Sequence, residues 1–279
     1  MTETTIGLLH PGEMGAAVGA VLRSAGSDVV WASAGRSSAT ARRAEAAGLD
    51  DAGTVAELSR RAGVILSVCP PHAALEVARE VAGYGGVYVD ANAVSAATSR
   101  GVGEVIVRGG GTYVDSGIVG SPPTARGTTR LYLSGVAAPE VAGLFAGTIV
   151  DARVLSDRIG DASAMKMTYA AWTKGTAALV LNVRALAREA GLEAALLADW
   201  DESIPHLRGM SLQAARSAAA KGWRWDAEME EIAAEFAAAG LPDGFHLAAA
   251  ELFRRSPRLE APRADEATLD AVLRGIAGS

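Results

Sequence analysis

Cysteine is nearly absent: Cys69 is the only one in 279 residues, so no internal disulfide can form. Four scattered histidines and no cysteine pair leave no spacing for a structural zinc site, and no metal is expected. No apolar run approaches the roughly 20 residues that cross a bilayer, so no membrane partner is expected. Basic residues are in deficit, 26 against 32 acidic for a net charge of -6, which argues against a nonspecific nucleic-acid binder with a basic face. The stretch from Met1 to Thr5 lacks a basic leader region and runs straight into an apolar segment, so no signal peptide is expected. Together these absences predict a reducing, cytoplasmic setting.

What is present is a hydrophobic fraction of 49% with 21% charged residues, enough for a real core, over a length that suits one large domain or two ordinary ones. Thr5 to His10 is a short apolar run, followed by Pro11, Gly12, Glu13, Met14 and Gly15 and then by a helical pattern from Ala16 to Ala25. Strand, glycine turn and helix make the opening half of a dinucleotide-binding unit, whose helix N-terminus offers N–H groups to a pyrophosphate. His10 stands where the usual GxGxxG fingerprint has its first glycine. Pro11 is expected to hold His10 extended, Gly12 to supply the positive φ of a type II turn, and Gly15 to let the helix pack closely on the strand. His10, Pro11, Gly12, Glu13 and Met14 are therefore expected cofactor contacts.

After a second strand at Asp28 to Ser33, an NAD-selective site would carry a carboxylate for the ribose hydroxyls. This chain has Arg36, Ser37, Ser38, Arg42 and Arg43 instead. A guanidinium beside hydroxyls suits a 2′-phosphate, so Arg36 and Ser37 point to NADP. For Arg42 and Arg43 a solvated helix face accounts equally well.

Further strands are expected at Gly63 to Cys69, Gly86 to Asp90, Thr112 to Asp115 and Thr129 to Ser134, with helices at Val55 to Arg61, His72 to Val81 and Ser95 to Arg108. That alternation predicts an α/β fold, a mostly parallel, doubly wound Rossmann sheet, with ligands in the turns Cys69 to Pro71, Asp90 to Ala93 and Ser116 to Ser121. From Asp161 onward the period is helical, over Asp161 to Ala190, Ala214 to Ala220, Asp226 to Ala239, Phe245 to Arg255 and Asp265 to Ile276. An all-α C-terminal domain follows. The boundary is placed between 157 and 158, giving a cofactor domain at 1–157 and a helical dimerisation and substrate domain at 158–279.

Several runs, His10 to Gly15, Gly117 to Gly120, Lys166 with Trp172 to Gly175, and Gly240 to His246, together resemble the β-hydroxyacid dehydrogenase superfamily. That superfamily includes 6-phosphogluconate dehydrogenase, and the resemblance spans nearly the whole chain. It implies a cofactor-binding proline turn at Cys69, Pro70 and Pro71, a second cofactor turn from Asp90 to Asn92, and a substrate-binding segment at Val119, Gly120 and Ser121. It also implies a catalytic lysine six residues after a glycine, which Gly160 and Lys166 match. Two positions depart from the pattern. The asparagine usual four residues after the lysine is Ala170 here, and a later Lys-Asp pair corresponds to Glu228 and Met229.

A bound nicotinamide carries the hydride, so the protein must place the substrate and move a proton, which a desolvated lysine can do. Helical spacing sets Tyr169 and Thr173 on the side of Lys166, and Tyr169, or a residue from elsewhere in the chain, is the expected stand-in for the missing asparagine. His246 is a further candidate for the substrate, with a capping or core role equally open. For Lys174 a solvated or salt-bridged role is as open as a catalytic one, Trp223 and Trp225 are expected to pack helices or a subunit interface, and Arg126 is favoured over Arg130 for holding a substrate anion. The apolar helix beginning at Lys166 predicts a homodimer. The leading expectation is an NADP-dependent oxidoreductase acting on a small hydroxy acid or its carbonyl counterpart; the alternatives are an NADPH-dependent imine reductase and a non-catalytic NADPH-binding sensor.

Overall fold

A computed structural model describes residues 4–278. Of the segment read for a leader, residues 1–3 lie outside the described residues. The described residues form two compact units that part after Met167, inside a helix rather than at the expected 157/158 boundary.

The first unit is built on one eight-stranded sheet. Its strands are β1 (Ile6–Leu9), β2 (Val29–Trp31), β3 (Asp50–Asp51), β4 (Val64–Ser67), β5 (Val87–Asp90), β6 (Thr112–Gly120), β7 (Thr129–Ser134) and β8 (Asp151–Ser156). They lie in the order β3-β2-β1-β4-β5-β6-β7-β8. All neighbours are parallel except β6 and β7. The crossovers are α1 (Glu13–Ser24), α2 (Ser38–Ala46), α3 (Val55–Arg61), α4 (Ala74–Glu80, after a 3-10 turn at Pro71–Ala73), α5 (Ala96–Arg108) and α6 (Ala138–Gly143).

The alternation of the strands explains the two covered faces. Leu8, Val29, Leu66, Val89 and Val114 join Val18 and Leu22 of α1 and Val141 of α6 in one apolar layer. Ile65, Tyr88 and Tyr113 point the other way, onto Leu58 of α3, Val77 of α4 and Ile106 of α5. With both faces buried, the carboxyl ends of the parallel strands are the natural ligand edge.

α7 (Asp161–Glu189) starts in the first unit and continues in the second, which also holds α8 (Glu193–Ser203), α9 (His206–Ala238), α10 (Gly244–Arg255) and α11 (Glu266–Ala277). The two helices expected at Ala214 to Ala220 and Asp226 to Ala239 are one continuous α9. Gly222, which lies between them, packs under α10: a Cβ there would stand 3.5 Å from the Phe253 carbonyl oxygen. The sparse polar stretch marks a helix crossing, not a break. Arg184 of α7 is fully buried and donates to Glu193 of α8 and to Ser211 Oγ of α9 (2.9 Å), tying three helices together. Among the described residues no helix is long and apolar enough to cross a membrane, and no group of acidic, histidine and cysteine side chains could hold a metal.

Candidate active site

The turn after β1 differs from the expected type II geometry. The positive φ falls on His10 (+64°), while Gly12 sits at φ -69°, ψ -166°. The Gly12 N–H donates to the His10 carbonyl at 2.7 Å, so the chain closes a three-residue turn centred on Pro11. The first fingerprint position needs left-handed backbone, and histidine tolerates that region better than most non-glycine residues. The close-packing role expected of Gly15 is visible: a Cβ there would lie 2.9 Å from the His10 carbonyl oxygen. Gly12 leaves open space, and α1 begins without a side-chain cap, so its first N–H groups can face an anion. Glu13 is exposed at the first turn, and Met14 is half-buried against the sheet core.

The turn after β2 brings a basic cluster to the same place. Arg43 Nε reaches the Pro11 carbonyl at 3.4 Å, joining α2 to the β1 turn. His10 Nδ1 and Arg36 Nε are both buried without a hydrogen-bond partner. Burial, and then the Arg36 guanidinium, push the His10 imidazole down to about 4, so it is neutral at physiological pH. Ser37 serves as the N-cap of α2, accepting from the Thr40 N–H at 3.2 Å. Arg42 is exposed. Of the two carboxylates of β3, Asp50 pairs with Arg23 at 3.6 Å, and Asp51 accepts from the Gly53 N–H at 2.7 Å.

Asn92 locks the next two turns together. Its Oδ1 accepts from the Cys69 N–H at 2.5 Å, its Nδ2 donates to Ser67 Oγ at 3.3 Å and to Asp90, and its own N–H donates to Asp90 Oδ1 at 3.1 Å. Burial pushes the Cys69 thiol up to about 12, which removes it as a nucleophile and leaves the turn Cys69, Pro70 and Pro71 a backbone and packing role. Burial also raises the Asp90 carboxyl to about 7, against the hydrogen bonds from Asn92 and Tyr113 that favour its charge.

Ser116 to Ser121 was expected as a turn, yet Ser116 to Gly120 continues β6 in antiparallel pairing with β7. Val119 is 1% exposed and packs on Tyr132 and Ala162, so its side chain is not open to a ligand. Gly120 and Ser121 are exposed. Gly117 is where α7 meets the sheet: a Cβ there would lie 2.7 Å from Lys166 Cβ and 2.8 Å from the Ala162 carbonyl oxygen. Lys166 is thereby seated against β6, half-buried. Arg126 lies elsewhere, in an edge cleft of about 500 Å³ lined by Phe145, Thr148 and Val150, donating to the Gly147 carbonyl at 3.1 Å. Arg130 lies in β7 opposite Val119.

Within the second unit, Tyr169 is 39% exposed on α7, and its carbonyl accepts from Thr173 Oγ1 at 3.2 Å. His246 is buried near the start of α10 against Phe236 and Phe245, its Nδ1 lacks a partner, and burial lowers its pKa. Lys174 resolves to a salt bridge with Glu228, both largely buried, and sits 5.4 Å from the Trp225 ring. Trp225 packs edge-on against Phe253, as expected of a helix-packing residue, whereas Trp223 is 47% exposed under Arg224 and Arg258. Nothing in the hydropathy pattern marked Glu228 as the lysine's partner.

A doubly wound sheet with this glycine turn, basic residues after β2 and a lysine helix beside β6 has the fold of the NAD(P)-binding hydroxyacid dehydrogenases. Residues 5–142 match the NAD binding domain of 6-phosphogluconate dehydrogenase, and residues 187–256 match a domain of unknown function, DUF1932. The chain therefore joins a 6-phosphogluconate dehydrogenase-type NAD-binding domain to a DUF1932 domain, which relates it to the NAD(P)-dependent oxidoreductases. An uncharacterized 28.5 kDa protein in the 7S RNA 5′ region of Methanothermus fervidus is 29% identical over 170 residues, 61% of this chain and 65% of that protein's length. The solved conserved protein MTH1747, described as structurally similar to 3-hydroxyacid dehydrogenases, is 27% identical with a TM-score of 0.67, covering 97% of this chain and 99% of its own. The fold is also that of Mycobacterium tuberculosis 3-hydroxyisobutyrate dehydrogenase, at 16% identity and a TM-score of 0.71 over 97% of this chain and 98% of that one.

Proposed function

We propose that the protein is an NADP-dependent oxidoreductase that interconverts a small hydroxy acid and its carbonyl counterpart, with Lys166 as the group that moves the proton. The observation that carries this reading is the seating of Lys166 against Gly117, on the same sheet whose β1 and β2 turns hold two buried, unpartnered nitrogens. A bound nicotinamide would supply the hydride. His10, Pro11, Gly12, Glu13 and Met14 would receive the pyrophosphate, and the turns at Cys69 to Pro71 and Asn92 would carry the ring end of the cofactor. Arg36 favours a 2′-phosphate because its Nε lacks a partner, and β2 ends without a carboxylate of its own. Ser37 can add its N–H or hydroxyl from the cap position. On the substrate side we assign the exposed backbone at Gly120 and Ser121, which follows Val119, and the ring of His246. Tyr169, three residues beyond Lys166, is the proposed hydroxyl partner in place of the asparagine that Ala170 replaces.

The test is NADPH oxidation against panels of small carbonyl acids and cyclic imines. Turnover of a carbonyl acid, lowered at least about 100-fold in Lys166→Ala, is expected. Turnover of imines alone, or full activity in Lys166→Ala, would overturn the assignment, and tight NADPH binding without any turnover would favour the sensor. Unchanged turnover in Tyr169→Phe would remove Tyr169 from the mechanism. Arg36→Ala should weaken NADPH binding about 10- to 100-fold while leaving NADH binding unchanged, the loss expected for one charge-assisted contact.

We further propose a homodimer through α7. Tyr169, Trp172, Thr176, Leu179, Val183 and Leu186 recur at alternating steps of three and four, the spacing of a helix-pairing seam. Trp172 is 73% and Leu186 71% exposed in the single chain.

A further inference from the structure

The first turn of α7 is held by side chains of the sheet, and one carboxylate does most of the holding. Asp115, fully buried in β6, accepts from the Gly160 N–H and the Ser163 N–H at Oδ2, both at 3.0 Å, and from Ser163 Oγ at Oδ1 at 2.5 Å. Ser134 Oγ donates to Asp115 Oδ2 at 2.9 Å and accepts from the Ala162 N–H at 3.0 Å. Thus three N–H groups at the helix start, which the helix itself cannot satisfy, end on Asp115 or on a serine that Asp115 orients. The negative charge also stands at the positive end of the helix dipole.

The register carries this grip to the lysine. Gly117 follows Asp115 by two residues on the same face of β6, and Lys166 follows Ser163 by three residues, about one turn along α7. Asp115 grips the helix at Ser163 just where Gly117 admits Lys166 Cβ. Gly160 is part of the fit, with φ +105° and an added Cβ only 2.8 Å from Arg100 Nη1. On its other side Asp115 accepts from Ser99 Oγ at 2.8 Å; Ser99 meets Tyr113 OH at 2.9 Å, and Tyr113 OH donates to Asp90 Oδ2 at 3.2 Å. Asp90 holds Asn92, and Asn92 holds the Cys69 N–H. One connected set of buried polar groups therefore runs from the β4 turn to the helix that bears the lysine.

We propose that Asp115 is the positioning residue for Lys166: it sets the height and rotation of α7 on β6, and thereby where the ammonium group stands relative to the cofactor turns. This rests on the reading of Lys166 as the proton-moving group. Asp115→Asn keeps the shape, because the amide oxygen can accept from the two N–H groups while the amide nitrogen donates to serine hydroxyls; what it removes is the charge and the strength of the grip.

The experiment combines steady-state kinetics with trace acetylation of the folded protein by acetic anhydride, read by mass spectrometry as the Lys166/Lys221 labelling ratio across pH. In Asp115→Asn, kcat should fall about 100-fold, as for a reacting group displaced by about 1 Å, with KM and NADPH affinity unchanged. The Lys166 labelling ratio should rise several-fold. Ser163→Ala, which removes one of the bonds, should move both readouts less and in the same sense, and serves if Asp115→Asn does not fold. A folded Asp115→Asn or Ser163→Ala protein whose Lys166 labelling matches wild type would overturn the proposal and leave Asp115 a role in stability alone. Full turnover in Lys166→Ala would overturn the reading of the lysine while the labelling ratio still decides whether Asp115 positions it.

Discussion

His10 and Asp90 are two buried titratable groups whose shifts oppose each other. The His10 pKa falls from its ordinary 6.5 to about 4, so its contribution to stability is present above the unfolded value and is lost as pH drops toward 4. The Asp90 pKa rises from 3.8 to about 7, so its contribution is greatest at low pH and is lost as pH climbs through 7. Between about pH 4.5 and 6.5 the two partly cancel. Thermal melts should separate them: Asp90→Asn should become more stable as pH rises through that window, and His10→Asn, in which asparagine accepts the left-handed backbone, should become less stable. Parallel melting curves for both variants would show that neither group titrates this way. Ser99 gives its one proton to Asp115, and Tyr113 must choose between Asp90 and Ser99, so the protonation of Asp90 decides the direction in which that chain of bonds is ordered.

At the scale of elements, the contact between β6 and α7 tolerates no added volume. Gly117→Ala should destabilise by about 1–3 kcal/mol in urea denaturation, because the new methyl meets both Lys166 Cβ and the Ala162 carbonyl oxygen. Arg184→Ala should cost about 3 kcal/mol, since it removes a buried guanidinium that bonds both Glu193 and Ser211 and leaves Glu193 to Arg188 alone.

Elements with an apolar period were legible in the sequence. β4, β5 and β7 fall within or on their expected runs, and α3 spans its expected residues because Thr54 caps it and the helix ends at Ala62, which turns extended. Elements lacking that signal were not legible. β3 is two exposed aspartates, β8 is mostly exposed, and the start of α2 reads as a basic turn until the Ser37 cap is seen. In the candidate site, Lys166 could be found from its distance to Gly160. Asp115 could not, because its role depends on pairings 45 and 48 residues away with Gly160 and Ser163. The left-handed His10 was missed because turn preferences placed the positive φ on Gly12, whereas the chain takes it two residues earlier, at the first fingerprint position.

For the whole molecule, the change from alternating to helical periodicity correctly announced an α/β part followed by a helical part, although the compact units part within α7. Leu179 is 48% exposed at the middle of the proposed seam, so Leu179→Asp should convert a dimer to a monomer in light scattering. Its mass should fall to about half, with the far-ultraviolet circular dichroism retained. A wild-type protein that is already monomeric would dismiss the seam.

The reversal of direction at β6 has a consequence for how the chain reaches this state. β6 and β7 are joined by residues 121–128, whereas the parallel pairing of β1 with β4 must close a loop of more than fifty residues. Local pairings form at lower entropic cost, so the antiparallel β6–β7 pair should be ordered in the folding transition state before the parallel half of the sheet. Val119→Ala and Leu131→Ala should then slow folding, while Val29→Ala and Leu8→Ala should chiefly speed unfolding. The carboxylate that grips the lysine helix would in that case be in place early, waiting on its strand for the rest of the nucleotide-binding edge to assemble around it.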